Sequence, residues 1–352
     1  MAPTPTDSRL RALHDQAEAA LEAGDLERAL EHARELATLL PDDPEIALLI
    51  AECLGMGGDQ DAADATLEAA LAKHPRNLSL LFGRSSALSG WEDEPERMEE
   101  GLKLAQRGLE LARREDDLDF QLDFLVLAAS THNALGDARA ALALAEEARA
   151  LNPIDVGARL EQAAALFELC RFDDARAHLE RLVKDAPEEA WAHHALGLLA
   201  ERRREDQAAA RHFARARELD PEAFPAPIEL GEEAFDAALE AAMERLPEAA
   251  RAALENTPVA IEDFPATEDL VASDPPLSPS ILGLFRGLAL PHRELLNPTD
   301  HFPATVLLYQ KNLERFARSR EELIEEIEVT LLHEVGHLLG LDEDGLTERG
   351  LH

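Results

Sequence analysis

Near its C-terminal end the chain reads Val329-Thr330-Leu331-Leu332-His333-Glu334-Val335-Gly336-His337-Leu338-Leu339-Gly340-Leu341-Asp342-Glu343-Asp344. Two histidines four apart, the first followed by a glutamate, make an H-E-x-x-H pattern. On a helix such residues lie one turn apart on one face, so the imidazoles of His333 and His337 can grip a single divalent cation. Imidazole suits zinc, which keeps three protein ligands and a water where it does chemistry. Water on such an ion has a pKa near ~7, so a nucleophile exists at neutral pH. Glu334 stands beside both rings, where its carboxylate can take that proton. The expected chemistry is hydrolysis, with Glu334 as general base. A cation site without catalysis is the rival reading of the same residues.

Two imidazoles leave one protein ligand to find. Gly340 can adopt a left-handed conformation, end the helix and turn the chain back. That would swing Asp342, Glu343 and Asp344 toward the ion. Glu343 is favoured as third ligand, with Asp342 and Asp344 as substitutes and His352 as a remote donor. The last methionine is Met243, so no methionine turn can follow the motif. His301 and Tyr309 are candidates to polarise a substrate carbonyl, although a structural role suits each better.

These side chains need a scaffold. Helical pattern begins at about Lys311 and dominates Glu321–Leu339. Before it lie three strand-like pieces, Val259–Ile261, Ile281–Phe285 and Thr305–Gln310, with the proline-rich loop ASDPPLSPS between the first two. The segment Glu232–Arg245 is helical in pattern, with Phe235, Leu239, Ala242 and Leu246 along one side. These pieces add up to a small α+β domain: a helix, a short sheet and a long C-terminal helix. Arg286-Gly287 reads as a hairpin turn.

Upstream the texture is periodic. Pro41, Pro75, Pro153, Pro187 and Pro221 are separated by 34, 78, 34 and 34 residues, and 78 is 2 × 34 + 10. Twelve residues before each stands an alanine: Ala29, Ala63, Ala141, Ala175 and Ala209. Gly-Asp pairs at 24–25, 58–59 and 136–137 precede three of them by five residues. Each unit reads as two amphipathic helices. The Gly-Asp pair breaks the first and starts the second, alanine lets them approach, and proline ends the second. A further unit around Leu78–Asp117 is irregular, and WEDEPERMEE within it reads as a longer loop or an extended helix start. Arg202-Arg203-Arg204 and Glu92-Asp93-Glu94 read as solvated faces, and His193-His194 as packing or surface. Three prolines within PEAFPAPIEL close the array.

The periodic region resembles the tetratricopeptide repeat, whose period is 34 residues. That resemblance implies an all-α solenoid whose groove takes a peptide or partner protein. From about Glu232 onward the chain resembles the minimal zincin-like metallopeptidases of bacteria. The landmarks are Leu246-Pro247, the strand before Glu262-Asp263, LGLFRG, TVLLYQ and LLHEVGHLLGLDEDGL. It implies zinc held by His333 and His337, Glu334 as general base and Glu343 as third ligand. The family has Asp where this chain has Glu343, one methylene longer.

The expected architecture is therefore a helical repeat solenoid over residues 1–225 and an α+β zincin-like domain over 226–352. The expected activity is zinc-dependent peptide hydrolysis on substrates or adaptors recruited by the repeats. The alternative is a scaffold whose metal-binding domain is inert. Lys plus Arg number 34 against 72 Asp plus Glu, a formal charge of −38, which would repel nucleic acid and anionic membranes. Hydrophobic residues make up 46%, enough for a sizeable core. Two distant cysteines exclude a disulfide framework and suit a reducing compartment. No secretory signal or membrane-spanning run is evident, so a cytoplasmic protein is expected.

Overall fold

The computed structural model describes residues 5–91, 94–255, 257–288, 304–342 and 345. The repeat region is a run of helical hairpins. They comprise α1 (Pro5–Glu22) with α2 (Leu26–Leu39), α3 (Pro44–Met56) with α4 (Gln60–Lys73), α5 (Leu78–Ser89) with α6 (Pro95–Arg114), and α7 (Leu118–Ala134) with α8 (Ala138–Leu151). Next come α9 (Val156–Glu168), α10 (Phe172–Asp185) and the hairpin of α11 (Ala190–Arg202) with α12 (Asp206–Leu219).

The local chemistry matches the periodic residues. Gly24, Gly58 and Gly136 take φ of 73°, 83° and 78°, the left-handed turn between paired helices. The next residues, Asp25, Asp59 and Asp137, cap the second helix by accepting from Arg28 N, Ala62 N and Ala140 N. The five repeat alanines are all buried. Each of the five prolines stands two residues beyond a helix end, at Leu39, Lys73, Leu151, Asp185 and Leu219. In the irregular unit α6 runs 20 residues where α4 and α8 run 14, so the insertion lengthens a helix rather than a loop.

The chain separates into two compact units, Met1–Leu166 and Phe167–His352. The repeat pattern ends near 225, whereas contacts divide the chain earlier, because the last repeat helices pack with the α+β segment downstream. Arg315 pairs with Glu201 of α11. Arg202 Nη2 donates to the Pro265 carbonyl at 2.9 Å, and its guanidinium lies 4.4 Å from the centre of the Phe172 ring. Arg202 is thus half-buried and not part of a solvated face. Residues 92 and 93 of the acidic tract lie outside the described residues.

Beyond the repeats come α13 (Glu232–Arg245), α14 (Glu248–Leu254), β1 (Val259–Glu262), α15 (Thr267–Leu270), β2 (Gly283–Arg286), β3 (Thr305–Tyr309), α16 (Gln310–Phe316) and α17 (Arg320–Leu338). The sheet order is β1-β3-β2. β1 runs parallel to β3 with Val259 opposite Val306, and β2 antiparallel with Phe285 opposite Val306. One sheet face presents Val306 and Leu308 to Leu323, Ile327, Leu331 and Val335 of α17 and to Phe235 and Ala242 of α13. Each fully buried side chain of this kind contributes about 1.5–3 kcal/mol. Among the described residues no helix is long and apolar enough to cross a membrane.

Candidate metal centre

The helix that carries the motif is fixed at both ends. Ser319 caps α17 by accepting from Glu322 N at 3.2 Å, and Glu322 Oε2 reaches back to Arg318 N at 2.7 Å. At the far end Gly340 has φ of 86°. Gly340 N donates to His337 O and Leu341 N to Gly336 O, both at 3.0 Å. That pair of bonds is the Schellman termination, and it turns the chain back as the glycine predicts.

The reversal has a chemical consequence. It brings the Leu341 carbonyl to 3.1 Å from His337 Nδ1. A carbonyl can only accept, so Nδ1 carries the proton and Nε2 presents its lone pair. That Nε2 stands 3.1 Å from His333 Nε2, with the ring planes 81° apart. A zinc ion bonded to both nitrogens at about 2.0–2.1 Å with a tetrahedral angle would hold them about 3.3 Å apart. The two donors therefore fit such an ion with a shift of a few tenths of an ångström. A backbone carbonyl behind a ligating imidazole is the support metal sites ordinarily use.

Glu334 is only 6% exposed. Its Oε2 accepts from Phe285 N of β2 at 2.5 Å. Close approach of β2 to the helix depends on Gly283, where a Cβ would stand 2.5 Å from Thr330 Cγ2 and 3.3 Å from Glu334 Cγ. The segment leading into β2 is held by Asn312 of α16, whose Nδ2 donates to the Pro279 and Ile281 carbonyls at 3.0 and 2.8 Å. Arg315 Nη1 in turn donates to Asn312 Oδ1 at 3.4 Å. Sequence reasoning missed Phe285 N–H, the Leu341 carbonyl and Asn312. The first two are backbone groups, which no residue type announces. Asn312 stands in a pattern indistinguishable from any polar helix position.

The structure brings together His333 and His337, while Glu334 is held by Phe285 N–H of β2. Glu343 and Asp344 lie outside the described residues, as do His301 and His352. Asp342 is exposed, and its Oδ1 accepts from Gly345 N at 3.0 Å, a capping bond within its own turn. Tyr309 comes directly after Leu308 on β3, so its ring lies on the sheet face turned away from α17. It is fully buried, and burial together with Asp269 and Glu262 pushes its hydroxyl pKa up. Its hydroxyl has no hydrogen-bond partner among the described residues. Arg286 pairs with Asp269.

The zincin-like metallopeptidase family matches residues 254–351, and the tetratricopeptide repeat family matches 20–81 and 133–200. The chain joins tetratricopeptide repeats to a zincin-like metallopeptidase domain. The stretch between the two repeat matches contains the unit with the elongated α6. Among solved structures, one reported under the functional characterisation of Pseudomonas aeruginosa pilF is 19% identical with a TM-score of 0.50, over 66% of this chain and 99% of its own. PilW, described as a widely conserved type IV pilus biogenesis factor, is 16% identical with a TM-score of 0.52, over 60% and 94%. At these identities the likeness shows the repeat fold and nothing of the partner. Among curated proteins none matches the chain. In the zincin-like domain the H-E-x-x-H pair thus falls inside the matched region, on the helix that the sheet covers.

Proposed function

We propose that the zincin-like domain, residues 226–352, is a zinc-dependent peptidase and that the repeats, residues 1–225, recruit its protein substrate or an adaptor. The observation that carries this reading is the pair of Nε2 atoms 3.1 Å apart, on a helix whose intervening glutamate is buried. His333 and His337 would hold the ion, with Glu343 as third ligand. Zinc there would supply Lewis acidity and make a water acidic enough to ionise near neutral pH.

The chain's own groups account for the rest. The Leu341 carbonyl keeps the His337 proton on Nδ1, so the ring stays a ligand. Glu334, the residue after His333, would leave Phe285 N–H, turn toward the rings and take the proton of the attacking water at Oε2. It then gives that proton to the leaving amine nitrogen. Phe285 N–H, directed away from β3, lies on the sheet edge along which an extended peptide can pair. That edge favours a peptide over a compact small molecule. Tethering by the repeats raises local substrate concentration, which offsets a shallow cleft. Two free cysteines, Cys53 buried and Cys170 half-buried, suit a cytoplasmic location.

The test is Glu334→Gln against wild type on a peptide library, with zinc content measured in both. Retained zinc with turnover lowered about 10²- to 10⁴-fold is expected. Zinc-loaded wild type that cleaves nothing, or a variant as active as wild type, leaves the scaffold reading in its place.

A further inference from the structure

We propose that the last repeat holds a second transition-metal site, formed by His193 on α11 and His212 on α12. Their Nδ1 atoms stand 3.1 Å apart, with ring centres at 5.4 Å. His333 and His337 show the same nitrogen separation. The supporting geometry is also repeated with the ring nitrogens exchanged. His193 Nε2 lies 3.1 Å from the Pro187 carbonyl oxygen, in the turn before α11. That carbonyl accepts, so Nε2 carries the proton and Nδ1 offers its lone pair toward His212. Without an ion, His212 must donate its own Nδ1 proton across the gap. With one, it shifts that proton to Nε2 and both lone pairs converge. The ion displaces a single hydrogen bond.

Both rings are half-buried, so solvent reaches the site. Arg211 and Arg176 are the cationic groups nearest the pair. Arg176 is itself neutralised by Glu180 at 2.8 Å and Glu205 at 2.9 Å, so the cation meets less repulsion than the arginines alone suggest. Among the described residues no third histidine, cysteine or carboxylate donor joins the pair within 4.8 Å. The remaining positions go to water, which implies an exchangeable ion of the borderline class that imidazole prefers, Zn²⁺, Cu²⁺ or Ni²⁺, over Mg²⁺ or Ca²⁺. An ion there ties α11 to α12. His14, Asp15 and Glu18 form another group of donors within 4.8 Å, but two of the three are exposed and none is oriented by a carbonyl, so they serve as the control.

The experiment is calorimetric titration of the chelator-stripped full chain with Zn²⁺, alongside thermal melts. Wild type should take up two equivalents, the weaker lost in His193→Gln and in His212→Gln and kept in His333→Ala. Zinc should raise the wild-type melting temperature by several degrees more than that of His212→Gln. A single equivalent in wild type that both His193→Gln and His212→Gln keep overturns the inference. So does a weaker equivalent that survives both substitutions or disappears in His14→Gln. If the weaker equivalent goes with His212 while His333→Ala loses none, the repeat site stands and the peptidase reading falls.

Discussion

One missing carbon at residue 283 sets the spacing between β2 and the motif helix. In Gly283→Ala the new Cβ would meet Thr330 Cγ2 at 2.5 Å and Leu307 O at 3.1 Å. Neither can retreat cheaply, since one belongs to a β-branched helical side chain and the other to the central strand. Strain of this kind costs about 1–3 kcal/mol. It also pushes β2 off α17, so Phe285 N–H loses Glu334. The expected outcome is a destabilised protein whose peptidase turnover falls by more than tenfold. Adding Thr330→Ser removes Cγ2 and should restore most of both, a coupling that a double-mutant cycle on urea midpoints measures. If the double variant is no better than Gly283→Ala, the close approach is not what Gly283 protects. At this scale the sequence was legible where chemistry depends on side-chain type and spacing. The His333 and His337 rings meet and Gly340 takes the left-handed turn, as spacing and residue type implied. Phe285 N–H and Leu341 O were illegible because a backbone group acquires a role only from the fold around it.

At the scale of elements, punctuation carried the information. Gly-Asp pairs, buried alanines and prolines marked helix ends because each imposes a backbone state: left-handed turn, close approach or termination. The same turn position is held by Cys170 and Arg204, at φ of 57° and 58°, where the glycine signal is absent and only the spacing reveals it. The packing of the last repeat against the zincin-like domain was not legible, since contacts such as Cys170 Sγ with Leu277 O at 3.8 Å span 107 residues. His194 of α11 reports on that packing. It stacks on Phe224 at 4.7 Å, and burial, then Arg315, push its pKa down to about 4 from 6.5. The unfolded chain takes up this proton near pH 6.5 and the folded one only near 4, so the folded form gains above 6.5 and loses that gain as pH falls between them. Over that window wild type should lose up to about 3 kcal/mol more stability than His194→Gln. Urea unfolding at neutral and mildly acidic pH reads the difference. Parallel pH dependences would mean that His194 titrates freely in the folded state.

For the whole molecule the decisive quantity is the excess of 72 acidic over 34 basic residues. A compact chain with that excess repels itself, and unfolding relieves it. Salt acts on two opposing terms. It screens the repulsion, which is long-ranged, since the Debye length falls from about 30 Å at 0.01 M to about 8 Å at 0.15 M. It also weakens the ion pairs, but most of those are exposed. Arg9–Glu35, Arg76–Glu115 and Arg114–Glu110 leave each side chain 41% to 74% exposed, and pairs of that kind contribute about 0–1 kcal/mol. Arg84, 10% exposed against Asp64 at 17%, is an exception that salt screens less. The repulsive term should therefore win, and the melting temperature should rise as sodium chloride is increased from about 0.01 to about 0.15 M. Binding of a basic peptide in the repeat groove should weaken over the same range, because there the excess attracts. Circular dichroism melts and peptide titrations at matched salt separate the two responses. A melting temperature that falls with salt would show that attraction between neighbouring charges outweighs the net excess. The repeat surface would then be a balanced lattice of pairs with no pull on a cationic partner.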